Sequence, residues 1–149
     1  MILVDTNILL RSSTLKSLNA PVIVQATARL LAAGEQLVVA PQSYYEMWVV
    51  LTRPLAQNGY ELDAVGARGE VDRSRASFGL LTEPVDILQT WLELITKHAV
   101  KGKAAHDARL VALMICYGVN RILTTNTSDF SRYSEVRAIS ADDVLAGKT

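Results

Sequence analysis

Four short runs rich in β-branched residues punctuate the chain: Met1 to Val4, "QLVVA" at 36–40, "RILTT" at 121–125 and "VRAIS" at 136–140. The first two are apolar without alternation, the pattern of strands buried on both faces of a parallel sheet. Parallel neighbours cannot be joined by a tight hairpin, so the segments between such strands must supply crossovers, usually helices.

Helix signals fill those segments. A helix is expected over residues 8–18. Pro21 opens a better one, "PVIVQATARLLAA", which Gly34 closes. Pro41 and Ser43 introduce another through about Thr52, stopped before Pro54. Asn58-Gly59 marks a turn. After Pro84, the residues Val85, Leu88, Leu92, Ile95 and Ala99 fall at helical spacing and predict an amphipathic helix. His106 to Tyr117 is another, ended by Gly118. "FGLL" reads as a short strand, "NTSDFSRY" as a loop or single turn, and "ADDVLAG" as a short helix at most. Residues 61–77 are polar, carry two glycines and have weak periodicity, which suggests a helical hairpin arm or mobile segment. Strands alternating with helices imply a three-layer α/β/α fold with a mostly parallel central sheet. In such sheets the functional crevice lies beyond the carboxyl ends of the strands.

The chain has 149 residues, half of them hydrophobic. That is the size of one domain able to bury about two-thirds of its unfolded surface, so residues 1–149 are read as a single domain. The 15 basic and 15 acidic residues balance, which leaves no global pull toward nucleic acid or membrane; a nucleic-acid role needs a local basic patch. The lone Cys116, within "ALMICYG", reads as a small core residue. No disulfide can form within the chain, which fits a reducing compartment. No basic region precedes the first apolar run, and no stretch approaches the ~18 apolar residues of a membrane span. The expectation is a soluble cytoplasmic domain with no membrane contact.

Acids cluster where the crevice should be. Asp5 follows the first strand, Asn126 and Asp129 follow "RILTT", and Glu46 lies in the helix after "QLVVA". Each has an ordinary alternative. Asp5, Thr6 and Asn7 are all helix-capping types, and Ser43-Tyr44-Tyr45-Glu46 fits a capping box. Yet Glu46 shares a helix face with Val49 and Val50, and Asp107 shares one with Leu110, Val111 and Met114. Carboxylates aimed at the protein are costly unless paired with Lys or Arg or bound to metal. Either arrangement is open to this sequence; the number of acids at one edge favours a divalent cation, with Mg²⁺ or Mn²⁺ suited to hard oxygen ligands. No Cys–His set is present that could hold zinc. Beside Asp107, "KHAVKGKAAHDAR" contributes Lys97, Lys101, Lys103 and Arg109, either as a solvated helix end or as a phosphate-contacting patch. His106 adjoins Asp107 but points roughly 100° away on a helix, so it is not assigned as a base. Tyr44, Tyr45, Trp48 and Trp91 read as core or interface residues.

With these residues in place, the sequence resembles the PIN-domain nucleases, and within them the VapC-type toxins of toxin–antitoxin pairs. The resembling segments are "ILVDTNILL", "SYYEMWVVLTRP", "HDARLVALMICYGVNRILTTNTSDFSRY" and "VRAIS". The resemblance implies an acidic core of Asp5, Glu46 and Asp107. It leaves the fourth position between Asn126, directly after "TT", and Asp129, and it gives Thr6 a supporting hydroxyl. It further implies Mg²⁺-dependent endonucleolytic cleavage of RNA, with Lys101, Lys103 and Arg109 near the RNA backbone. A homodimer and a cognate antitoxin, bound near the 61–77 segment, complete the expectation.

Two other classes compete. A haloacid-dehalogenase-like phosphatase would use Asp5 as nucleophile, but it wants a second Asp where Asn7 stands, and Asp142 and Asp143 lie in a polar tail. A binding module, either receiver-like or a catalytically weak PIN-like domain acting through RNA or a partner, would retain RNA without metal-dependent cleavage. In a receiver the phosphoacceptor follows a middle strand, whereas "QLVVA" is followed by Pro-Gln-Ser.

Overall fold

The computed structural model describes residues 1–13 and 20–148. Five parallel strands form its sheet: β1 (Ile2–Val4), β2 (Leu37–Val39), β3 (Gly79–Leu80), β4 (Arg121–Leu123) and β5 (Arg137–Ile139), in the spatial order β3-β2-β1-β4-β5. Helices α1 (Thr6–Ser12), α2 (Ala20–Ala32), α3 (Pro41–Thr52), α4 (Ala64–Ser77), α5 (Ile87–Lys97), α6 (Ala104–Cys116) and α7 (Ala141–Leu145) flank it. The three-layer α/β/α architecture expected from the strand–helix alternation is the one observed. Residues 14–18 of the helix expected over 8–18 lie outside the described residues.

β1 and β2 are apolar throughout because each buries both faces, whereas the edge strand β3 is exposed and β4 and β5 each begin with an arginine. Ile2 and Val4 join one core with Ile23, Leu30, Met47, Leu51 and Val144, which gathers α1, α2, α3, α4 and α7 on one side. Leu3, between them, joins the opposite core with Leu94, Val111, Met114 and Phe130, which gathers α5 and α6. The period of two along a strand thus divides neighbouring residues between two helical layers. Register pairs Leu3 with Val38 on one side and with Ile122 on the other.

Helix boundaries follow local chemistry. Pro41 occupies the first position of α3, where its missing N–H costs nothing. Gly34 (φ 80°) and Gly118 (φ 63°) take the left-handed conformation that ends α2 and α6.

Three expectations are corrected. Ser43 does not open a capping box, because α3 begins two residues earlier with Ala40 as its cap. A capping box forms instead at α7, between Ser140 and Asp143. In α5 the apolar stripe chosen from spacing is largely the outer one: Val85, Leu88 and Leu92 are exposed, while Leu94 is buried with Ile87, Trp91 and Ile95 packed beside it. Finally, residues 64–77 form one continuous helix rather than a hairpin. The Asp63 carboxylate caps it by accepting from the Gly66 amide at 2.7 Å, and Arg68–Asp72 and Arg73–Glu70 ion pairs span its turns. Its buried face carries Ala67, Glu70 and Ser74, which explains the weak apolar periodicity.

Candidate metal centre

The strand order reverses at β1. The chain builds β1, β2 and β3 outward in one direction, then returns to place β4 and β5 on the other side. The carboxyl ends of β1 and β4 therefore flank the topological switch point, where parallel α/β sheets hold their ligands. The receiver order, 2-1-3-4-5, is a different arrangement.

Asp5 leaves β1 at this point and is the N-cap of α1, so its capping role and its place at the sheet edge coincide. The side chain is buried. Its Oδ1 accepts from the Thr6 amide at 2.7 Å; its Oδ2 accepts from the Thr124 hydroxyl at 2.7 Å and the Asn7 amide at 2.6 Å. Burial raises the Asp5 pKa and the charge of Glu46 adds to this, against the opposing hydrogen bonds from Thr124, Thr6 and Asn7.

Glu46 sits in the second turn of α3 and is half-buried. The apolar face inferred through Val49 does not place it, since Val49 is exposed. Two donors do: the Thr6 hydroxyl gives to Oε2 at 2.8 Å and the Gln42 amide to Oε1 at 2.7 Å. Asp107 lies in the first turn of α6, whose Leu110, Val111 and Met114 are buried as their shared face requires. Burial, then the negative charges of Asp129, Asp5 and Glu46, push the Asp107 carboxyl up to about 6; His106 pulls weakly the other way.

Asp129 lies in a single 3₁₀ turn, Thr127–Phe130, and exerts the strongest charge effect on Asp107. Asn126 precedes that turn, exposed, with its Oδ1 accepting from the Thr125 hydroxyl at 3.3 Å. Lys101 and Lys103 are exposed on the approach to α6. Arg109 pairs with Glu83 and donates to Gln42 Oε1 at 2.9 Å, so its guanidinium is engaged within the protein. Asp143 is likewise engaged, in the α7 capping box.

Sequence reasoning missed Thr124 and Gln42. Both are buried polar residues at the carboxyl ends of strands or just beyond. The first Thr of "RILTT" and the Gln after Pro41 carried no signal without knowledge of which elements meet.

The donors are carboxylate, hydroxyl and amide oxygens, and the Asp5 and Asp107 charges are held where an uncompensated anion is disfavoured; this chemistry fits Mg²⁺ or Mn²⁺. Among the described residues, no three His, Cys, Asp or Glu side chains are grouped tightly enough to hold an ion by themselves. Magnesium takes one or two carboxylates directly and keeps several waters, so a wider spacing of the remaining acids is compatible with it.

No protein-family model and no curated protein matches the sequence. Solved structures do match the fold. VapBC2 from Rickettsia felis, solved bound to a DNA fragment from its promoter, aligns with a TM-score of 0.70 over 94% of this chain and 98% of that one, at 14% identity. VapBC-1 from nontypeable Haemophilus influenzae aligns at 0.66 over 95% and 99%, also at 14% identity. VapC20 from Mycobacterium tuberculosis, described as a toxin cleaving the sarcin-ricin loop, aligns at 0.61 over 92% and 99%, at 18% identity. At these identities the likeness is one of fold, and that fold is the PIN-like arrangement the sequence resemblance led us to expect.

Proposed function

We propose that this chain is a Mg²⁺- or Mn²⁺-dependent endoribonuclease that acts as the toxin of a toxin–antitoxin pair. The observation that carries the reading is the meeting of α1, α3 and α6 at the switch point, where the Thr6 hydroxyl beside Asp5 donates to Glu46 at 2.8 Å; burial first, and then the charges of Asp129, Asp5 and Glu46, raise the pKa of Asp107 there. A divalent cation held by these carboxylates would supply charge relief to a phosphorane-like transition state and would acidify water at the scissile phosphate.

In this reading Asp5, Glu46 and Asp107 would hold the cation, with Asp129 adding negative charge beside Asp107. Asn126 lines the rim of the site. Thr6 orients the Glu46 carboxylate, and Thr124 with Asn7 orients Asp5. Lys101 and Lys103 steer the RNA backbone toward the acids. Water adds to phosphorus, the bond to the departing ribose oxygen breaks, and that oxygen takes up the proton the water loses. No side-chain nucleophile is needed.

An antitoxin protein is proposed as partner and a homodimer as the assembly, in the cytoplasm. The antitoxin reading is supported by VapBC complexes among the structures sharing the fold. An apolar groove between α2 and α4, lined by Val24, Leu31, Ser74 and Phe78, offers a place for its chain. No helix among the described residues is long and apolar enough to cross a membrane.

The test is cleavage of an RNA substrate with added Mg²⁺ by the parent, Asp5→Asn and Asp107→Asn. Loss of cutting in both variants with the fold retained supports the assignment; variants that cut like the parent refute it. The open spacing of the acids favours one second reading, a weak PIN-like binding module, for which all three proteins would retain RNA and none would cut it.

A further inference from the structure

Gln42 is 6% exposed, yet both ends of its side-chain amide are engaged. Its Oε1 accepts from Arg109 Nη1 at 2.9 Å, and its Nε2 donates to Glu46 Oε1 at 2.7 Å and to the His106 carbonyl at 3.0 Å. The amide can point only one way. A guanidinium has no acceptor, so the oxygen must face Arg109 and the NH₂ group must face the carboxylate and the carbonyl. Arg109 is itself fixed by its ion pair with Glu83, in the loop before α5.

These contacts join two helices that carry acids. Gln42 and Glu46 are one turn apart on α3; His106 immediately precedes Asp107 in the first turn of α6. One amide therefore grips the Glu46 carboxylate and the backbone beside Asp107 together. With Thr6 holding the other Glu46 oxygen at 2.8 Å, the carboxylate is fixed from both sides. A carboxylate oxygen has two acceptor positions, so each keeps one for a cation.

We infer that Gln42, oriented by the Arg109–Glu83 pair, is a positioning residue that sets Glu46 against Asp107 for the cation, and that Arg109 serves the site from behind rather than by gripping RNA. The inference rests on the reading of Glu46 and Asp107 as holding a divalent cation. Partners that orient metal ligands commonly change metal affinity by about 10–100-fold when removed. A side chain that merely tied α3 to α6 would instead lower the melting temperature and leave affinity alone.

The experiment is Mn²⁺ calorimetry on the full, metal-stripped chain, with metal-free melting temperatures alongside. Gln42→Met keeps the shape and removes the hydrogen bonds. It is expected to weaken Mn²⁺ binding about tenfold. Arg109→Lys keeps the charge but loses the planar fork, and Glu83→Gln weakens the grip on Arg109; both should shift affinity in the same direction by a smaller factor. The Glu83 side chain is 40% exposed, so Glu83→Gln decides the matter if Gln42→Met does not fold. Parent-like Mn²⁺ affinity in these variants, with only melting temperature changed, overturns the inference. It falls alone if Asp5→Asn still abolishes binding. If the parent takes up no Mn²⁺, the metal reading falls and this inference with it.

Discussion

The Thr124 hydroxyl donates to Asp5 Oδ2 at 2.7 Å, linking the carboxyl ends of β1 and β4 across the point where the strand order reverses. Thr124 Oγ1 in turn accepts from the Asn7 side-chain amide and from the Asn126 backbone N–H, each at 3.0 Å. Thr124 and Asp5 are both buried, so the bond between them has no water as a ready substitute. Thr124→Val keeps the shape and strands an amide and a backbone N–H. It should cost about 1–3 kcal/mol in urea unfolding. It should also raise the Mg²⁺ concentration needed for cleavage. Unchanged stability would mean the buried network is not formed as described.

Much of the fold was legible because local chemistry and tertiary placement agree. Pro41 at the start of α3, Gly118 at the end of α6 and the apolar runs of β1 and β2 each specify their element without help from distant residues. Asp5, Glu46 and Asp107 were legible as carboxylates at a strand end or in the first two turns of a helix. Thr124 and Gln42 were not, because their roles arise from partners 119 and 64 positions away. The α5 stripe misled for a different reason: apolar residues occupy both faces, so spacing alone could not say which face is inside.

That phase can be measured. Leu94 is 3% exposed and Leu88 is 62% exposed. Leu94→Ala should destabilise by about 2–5 kcal/mol, as buried leucines do when truncated. Leu88→Gln should change stability by no more than about 0.5 kcal/mol. Chemical denaturation of both variants checks the assignment, and equal costs would place the stripe wrongly.

Glu135, just before β5, tests the contacts at the end of α5. Burial raises its pKa, but hydrogen bonds from Lys97 and His98, at 2.8 and 3.0 Å, outweigh this and hold it at about 2. A carboxyl depressed in the folded state stabilises above its unfolded value, near 4.5, and loses that contribution as pH falls through the folded one. Glu135→Gln should therefore melt lower than the parent at pH 7, with the difference closing as the pH falls toward 2. A constant difference across the range would remove the ion pair as its cause.

Asp107 has the reverse sign. Burial first, and the charges of Asp129, Asp5 and Glu46 after it, raise its pKa from 3.8 to about 6. Between those values the folded chain binds a proton that the unfolded chain does not, so metal-free stability should rise as pH is lowered from 7 through 6 toward 4.5. The carboxyls held low, Glu35, Glu135 and Asp143, lose their contributions only further down, which separates the two effects. Asp107→Asn carries no charge to protonate; it should melt higher than the parent at pH 7 and have a shallower slope, the rest belonging to Asp5, whose pKa burial also raises. Saturating Mg²⁺ should flatten the parent's slope as well, because the cation offsets the same repulsion and competes with the proton. Melting curves from pH 4.5 to 8, with and without Mg²⁺, read all three expectations. A parent whose metal-free stability is flat or falls on acidification across this window would show that these carboxylates do not share one electrostatic site.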